Sequence, residues 1–399
     1  MSLDDLKEQL YRCSGCTECY GRGPWIPYKD AVDAIDTWVC PTLKEFKFVT
    51  YTGKGQQYLA REVAYGRMEL DEEIAKVFYS CTTCGICDEI CPRPLLETQK
   101  EMRAEIFNRR PDLVPQGTRE ADERIRTTRN FLGGRPEKRG HWTKGLEIPT
   151  RGKVMFFAGC HLSYRQPQSA RLTVQILRKA GVDVGYSPGE ECCGLHPSGD
   201  GNQGLLKDLV SKNVRMIQES GAEVVLASCP GCFKTFKMDY PKIVGKLPFR
   251  VVHLSELLRD LIREGKLKLG GVGDEAFTYH DPCLLGKQHL GRRQALYEAP
   301  REVIKSIPNL RFKEMRRNRR WSYCCGGGAL VTQSAYPELS QRMSKDRLDE
   351  VKEVADAVIT TCPLCVANFK QGTKGAAAKT AVYDLQELVA KALGIQPLP

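Results

Sequence analysis

Two stretches of this chain repeat one another. The first opens with Lys153-Val-Met-Phe-Phe-Ala-Gly-Cys160, reaches Cys192-Cys193-Gly194, and continues to Ala227-Ser-Cys229-Pro230-Gly-Cys232. The second opens with Ala276-Phe-Thr-Tyr-His-Asp-Pro-Cys283, reaches Cys324-Cys325-Gly326, and continues to Thr360-Thr-Cys362-Pro363-Leu-Cys365. The cysteine pairs lie 132 residues apart and the Cys-Pro-x-Cys units 133. A fixed offset of this kind marks a duplicated structural unit. Each copy reads as a short apolar strand, a helix (170–180; 292–307), the paired-cysteine loop, a second helix (205–219; 337–354), and another strand ending in cysteine. The tails match as well, His253-Leu-Ser-Glu256-Leu257 against Asp384-Leu-Gln-Glu387-Leu388. Strands alternating with helices predict a parallel sheet in each copy, with ligands at the strand C-terminal ends, where the cysteines sit. The expectation is two α/β units related by pseudo-twofold symmetry, cysteine-bearing edges facing one another.

The chain has 399 residues and 18 cysteines, eight before residue 92 and five in each repeat, with none left over. No apolar run approaches the roughly 20 residues of a membrane-spanning helix. The N-terminal MSLDDLKEQLYRC lacks the basic start and apolar middle of a secretion signal. A cytoplasmic location is expected, at most peripheral to a membrane through a partner, and in that reducing setting grouped cysteines point to metal rather than disulfides. Hydrophobic residues at 41% and charged residues at 27% are ordinary for a globular chain of two or three domains. The net charge of +11 comes with no recognition motif for nucleic acid, so nucleic-acid binding is excluded.

Near the N-terminus, Cys81-Thr-Thr-Cys84-Gly-Ile-Cys87-Asp-Glu-Ile-Cys91-Pro92 has the spacing by which bacterial ferredoxins hold [4Fe–4S] cubanes. Cys13-Ser-Gly-Cys16-Thr-Glu-Cys19 repeats the triplet, and Cys40-Pro41 supplies its missing Cys-Pro after an insertion. In two-cluster ferredoxins the fourth cysteine of one run ligates the other cluster. Cys13, Cys16, Cys19 and Cys91 are therefore assigned to one cubane, and Cys81, Cys84, Cys87 and Cys40 to the other. Zinc would explain C-x2-C pairs but not two such triplets each with a Cys-Pro. Helices are expected over 58–79, packing the cluster loops together, and over 96–109. Residues 111–150, rich in proline, glycine and basic residues, read as a surface linker bearing a helix at 117–131.

Five thiols per repeat exceed the four positions of zinc or a cubane, and vicinal cysteines pair only with strain. A five-cysteine iron–sulfur cluster accounts for them better. The duplicated pattern resembles the cysteine-rich CCG domains of heterodisulfide reductase. With the ferredoxin-type domain in front, the chain is similar to the D-type subunits of that family and to iron–sulfur subunits of related oxidoreductases.

The resemblance implies an α+β protein. A mostly helical two-[4Fe–4S] ferredoxin-type domain would occupy 1–110, a basic linker 111–150, a first CCG domain 151–270 and a second 271–399. It implies that Cys160, Cys192, Cys193, Cys229 and Cys232 hold one noncubane [4Fe–4S] cluster. Cys283, Cys324, Cys325, Cys362 and Cys365 would hold another, all ten being catalytic. The expected activity is that of a disulfide oxidoreductase. A disulfide substrate would be split or formed between the noncubane clusters, with electrons relayed through the cubanes; the basic chain would favour an anionic disulfide. Expected partners are other redox subunits, a cytochrome b-type membrane subunit or a flavoprotein. The competing expectation is an electron-transfer subunit linking a flavin dehydrogenase or larger redox complex to a quinone or cytochrome b partner. His161, His196 and His280 are candidate proton donors, and Lys234 and Lys287 candidate anion holders.

Overall fold

The computed structural model describes residues 2–16, 39–91, 93, 95–288, 295–373 and 380–396. Cys19, one of the expected cubane ligands, lies outside them, as does Pro92.

The body contains two parallel sheets. The first runs β1 (Val154–Phe157), β2 (Val224–Ala227), β3 (Arg250–His253) in that order. The second has the order β5 (Arg311–Phe312), β4 (Ala276–His280), β6 (Ala357–Thr360), β7 (Ala381–Asp384). Every pairing is parallel, Phe157 opposite Ala227 and His280 opposite Thr360. Parallel strands need helical crossovers, which cover both faces, so strands such as Ala-Val-Ile-Thr at 357–360 are buried throughout.

The two units meet reciprocally. Helix Pro167–Lys179 of the first packs on Leu385–Ala392 of the second, and Leu254–Arg263 of the first packs on Glu298–Lys305 of the second. Equivalent helices thus exchange places across the interface, as a pseudo-twofold axis requires. Phe156, Leu226, Leu258, Phe277, Ile359 and Leu388 share one core.

Two helices replace the single one expected over 58–79. Gly53–Ala64 ends near Gly66 (φ +68°), and Glu72–Ser80 starts afresh with Asp71 accepting a bond from Ile74 N. A left-handed glycine stops a helix and an aspartate N-cap restarts one. The expected 292–307 helix spans only Glu298–Lys305 among the described residues.

Segment 111–150 has exposed stretches, among them 135–138, but is not wholly solvated. Its helix Gln116–Thr128 buries Ala121, Asp122 and Ile125, and Arg139 and Trp142 are also buried. The basic composition conceals an apolar and ion-pairing inner face that connects the ferredoxin-type domain to both halves of the body.

Candidate iron–sulfur site

Short strands end where the ligand loops begin, and glycines let those loops close. Gly194 and Gly326, each directly after a cysteine pair, have φ of +89° and +88°. A Cβ at Gly326 would lie 2.2 Å from the Ser340 carbonyl oxygen, and one at Gly159 would lie 2.9 Å from Cys232 Sγ. Only glycine brings those backbones so near to sulfur and chain.

Nine of the ten C-terminal cysteines are buried and Cys283 is partly so. Their side chains follow one another as an unbroken run of neighbouring thiols. In the first quintet the order is Cys160, Cys192, Cys193, Cys232, Cys229. Cys229 then touches Cys362, its counterpart in the other repeat. The second quintet continues through Cys365, Cys325, Cys324 and Cys283. Thiol neighbours on both sides hold Cys229 and Cys324 well below the usual thiol range and pull Cys193 down to about 6, against the opposing effect of burial. The Gly326 backbone N–H adds to this at Cys324, donating to its Sγ at 3.3 Å, and Cys365 N donates to Cys362 Sγ at 3.5 Å.

A cavity opens at the first quintet. Besides its five cysteines, Phe131, His161 and Leu195 line it, and Leu330 and Leu364 close it from the second repeat. No pattern in the amino-acid order points to Leu330, which has φ +76° beside Ala329 at +53°. Two successive non-glycine residues in this region cost roughly 1–3 kcal/mol each, and such strain collects at functional sites. Another feature becomes readable once the repeats are aligned by their cysteines. A Cβ at Gly231 would meet Leu195 at 2.5 Å, and one at Gly327 would meet Leu364 at 3.2 Å. Each half therefore places one leucine over one glycine, but from opposite loops.

The donor set fits an iron–sulfur cluster: five converging thiols, glycines at close approach, and His161 in the cavity wall with both ring nitrogens buried and without a hydrogen-bond partner among the described residues. Burial and the nearby Arg165 guanidinium push His161 down to about 4, so it is neutral at physiological pH.

Buried ion pairs brace the ligand loops. Glu190 pairs with Arg139 at 3.0 Å and accepts from Ala158 N and Gly159 N, fixing the turn before Cys160. Arg139 also approaches Cys160 Sγ at 3.7 Å. In the second half Arg301 grips both oxygens of Asp281, two residues before Cys283. The expected anion-holding lysines are already engaged: Lys234 pairs with Asp239 at 2.6 Å, and Lys287 donates to the Ser322 carbonyl. Both are buried and neither lines the cavity. His196 is likewise a structural group. It lies 3.1 Å from Asp122 and 3.3 Å from Asp200, with Ser334 at 3.2 Å, linking segment 111–150 to both repeats.

In the N-terminal domain Cys81 and Cys84 are close enough to Cys40 for their charges to interact, and Cys40 packs with Cys87. Cys91 interacts instead with Cys13 and Cys16. Cys91 nevertheless packs against the same Leu43, Cys87 and Leu95 cluster as Cys40, so the described N-terminal cysteines lie close together without sorting into two separate sets. Cys84 in turn shares an apolar cluster with Cys324, with Cys283 against it. The ferredoxin-type domain thus reaches the second quintet through Cys84, while Tyr79 and Arg103 bond the Asp200 and Gly199 carbonyls of the first repeat.

Comparison with known proteins agrees with this organisation. Residues 9–95 match the family described as 4Fe-4S dicluster domain, and 154–237 and 277–370 match the cysteine-rich CCG domain. The D-type subunit of dihydromethanophenazine:CoB–CoM heterodisulfide reductase from Methanosarcina barkeri is 30% identical over 401 residues, covering 97% of this chain and 95% of that protein. The B-type subunit of the fumarate reductase (CoM/CoB) of Methanothermobacter marburgensis is 30% identical over 94% of this chain and 71% of its own length. The EtfAB:quinone oxidoreductase of Syntrophomonas wolfei is 29% identical over 80% of this chain and 47% of its own. No helix among the described residues is long and apolar enough to cross a membrane. With a dicluster ferredoxin domain followed by two CCG domains, and full-length similarity to D-type subunits, the chain belongs to the heterodisulfide reductase D-type family of iron–sulfur oxidoreductases.

Proposed function

We propose that this protein is the catalytic iron–sulfur subunit of a disulfide oxidoreductase, reducing or forming a sulfur–sulfur bond between its two cysteine quintets. The observation that carries the reading is the contact of Cys229 with Cys362, which joins ten sulfurs of two repeats into one buried array. Cys160, Cys192, Cys193, Cys229 and Cys232 would hold one noncubane [4Fe–4S] cluster. Cys283, Cys324, Cys325, Cys362 and Cys365 would hold the other. Cys13, Cys16, Cys19 and Cys91 would hold one cubane and Cys40, Cys81, Cys84 and Cys87 the second. When bound, such clusters supply the paired one-electron chemistry that splitting a disulfide requires.

The residues around them have separable tasks. Phe131, Leu195, Leu330 and Leu364 exclude water from the sulfurs. Glu190 and Arg301 fix the loops before Cys160 and Cys283. The adjacency of Cys84 and Cys324 favours electron exchange with the ferredoxin-type domain at the second quintet. A redox partner, of cytochrome b or flavoprotein type, would dock on that domain. With Lys234 and Lys287 both engaged, the apolar cavity favours recognition of the substrate near its sulfurs by shape rather than by charge.

The electron-transfer reading, without substrate chemistry of its own, draws support from the name of the Syntrophomonas relative. Anaerobic EPR of the oxidised protein with a panel of thiols separates the two. A thiol-dependent signal from a noncubane cluster is expected. Its absence with every thiol tested would leave only the relay.

A further inference from the structure

The two repeats differ at one buried position beneath the ligand loops. β4 ends in His280, three residues before Cys283, whereas the corresponding residue of β1, three before Cys160, is Phe157. His280 is 1% exposed, with the Phe369 ring edge-on at 4.9 Å. Arg347 Nε donates to its Nδ1 at 3.2 Å. A guanidinium has donors only, so Nδ1 presents its lone pair and the ring proton resides on Nε2. Arg347 is itself held in place, donating to Arg317 O at 2.8 Å and pairing with Glu350, so the ring cannot turn over freely.

Nε2 is buried and has no hydrogen-bond partner among the described residues. A buried N–H without an acceptor is costly and calls for a partner. One ring nitrogen of His280 and the sulfurs of Cys325 and Cys365 lie within 4.8 Å of one another. Because Nδ1 accepts from Arg347, any hydrogen bond from this ring to those sulfurs has to come from Nε2–H.

We propose that His280 Nε2–H is a hydrogen-bond donor to the sulfur face of the second quintet and raises the reduction potential of the cluster held there. The inference rests on the reading that this quintet holds a cluster. Reduction adds negative charge to the sulfurs, and a fixed N–H donor stabilises that charge more in the reduced state than in the oxidised one. His280 is a positioning residue, acting through the ligand sulfurs. The first quintet has other polar neighbours, Arg139 at Cys160 and His161 in the cavity wall, so the claim concerns the second cluster alone and not the order of the two potentials.

The test is an EPR-monitored redox titration of the anaerobically prepared full chain. Three variants are compared: His280→Phe, the residue of the first repeat; His280→Gln, which keeps a side-chain N–H; and Arg347→Gln, which frees the ring. In H280F the second noncubane midpoint is expected to fall by at least a tenfold change in reduction equilibrium, about 59 mV for one electron. H280Q should recover part of the shift, and the other three clusters should keep their potentials. An unmoved midpoint in H280F with the cluster present refutes the role. If H280F loses four irons per chain, R347Q decides, since it should show the same downward shift and an unchanged value refutes the role. A wild-type spectrum that Cys325→Ser leaves unaltered refutes the cluster reading itself, and the inference with it.

Discussion

Replacing Glu190 with alanine should unfold the first half of the body at a markedly lower urea concentration. The carboxylate is almost fully buried against Arg139, whose guanidinium is equally enclosed, and it also accepts from Ala158 N at 3.0 Å and Gly159 N at 2.9 Å. Leaving one partner of a buried ion pair alone costs about 3–5 kcal/mol. Two orphaned backbone donors add roughly 1–3 kcal/mol each, less whatever water entering the space returns. A net loss of about 5 kcal/mol is expected. With a urea slope of about 2 kcal/mol per molar for a unit of this size, the midpoint should drop by ~2.5 M. Arg139→Met should cost about 3–5 kcal/mol for the same reason. Replacing both by methionine should cost less than the two single changes added together, because no charge is then left uncompensated and only the two backbone donors lose their acceptor. The assay is far-UV circular dichroism across an anaerobic urea series, with iron per chain measured alongside. An E190A midpoint within about 0.5 M of the parent, by this reasoning about 1 kcal/mol, would show that the pair does not hold the Cys160 turn.

Other consequences can be checked separately. The anaerobically prepared protein should carry roughly 16 irons, four per cluster. Cys193→Ser or Cys325→Ser should each remove one noncubane signal while cubane signals persist; about eight irons with stoichiometric zinc would rule out noncubane clusters. Gly326→Ala should be more damaging than Gly194→Ala in both thermal stability and iron content. Both need left-handed backbone, worth about 1–2 kcal/mol, but the added methyl meets a carbonyl oxygen at 2.2 Å in one case and the flexible end of Leu206 at 2.6 Å in the other. Burial and the neighbouring Lys234 ammonium push Lys100 down to about 8. The unfolded chain then holds more protons between about pH 8 and 10.4, so stability from this group rises with pH across that window and its penalty is complete below it. Lys100→Met should therefore melt above the parent at about pH 7, with the gap closing towards about pH 10.

The grouping of the cysteines is legible from spacing because a cluster demands several thiols on a short loop, and that demand is local. The same locality makes the parallel strands and most helices readable. Where a tertiary contact overrides local pattern, the sequence misleads. The 111–150 segment looks like a solvated basic connector, yet Arg139 is buried because Glu190, distant in the chain, neutralises it, and Asp122 is buried because Asn202 donates to it beside His196. Lys234 and Lys287 read as available for an anion, but Asp239 and the Ser322 carbonyl occupy them.

The amino-acid order by itself therefore determined two copies of a strand-and-helix unit, the ferredoxin-type loops, and which residues are thiols. Only the folded molecule decided that Cys229 lies next to Cys362, that Cys84 lies beside Cys324, and that Arg347 holds His280 close to Cys325 and Cys365. The physical reason is one of range. Backbone periodicity and loop chemistry act over a few residues, whereas these contacts join positions far apart along the chain, and burying the shared core between the repeats is what brings them together.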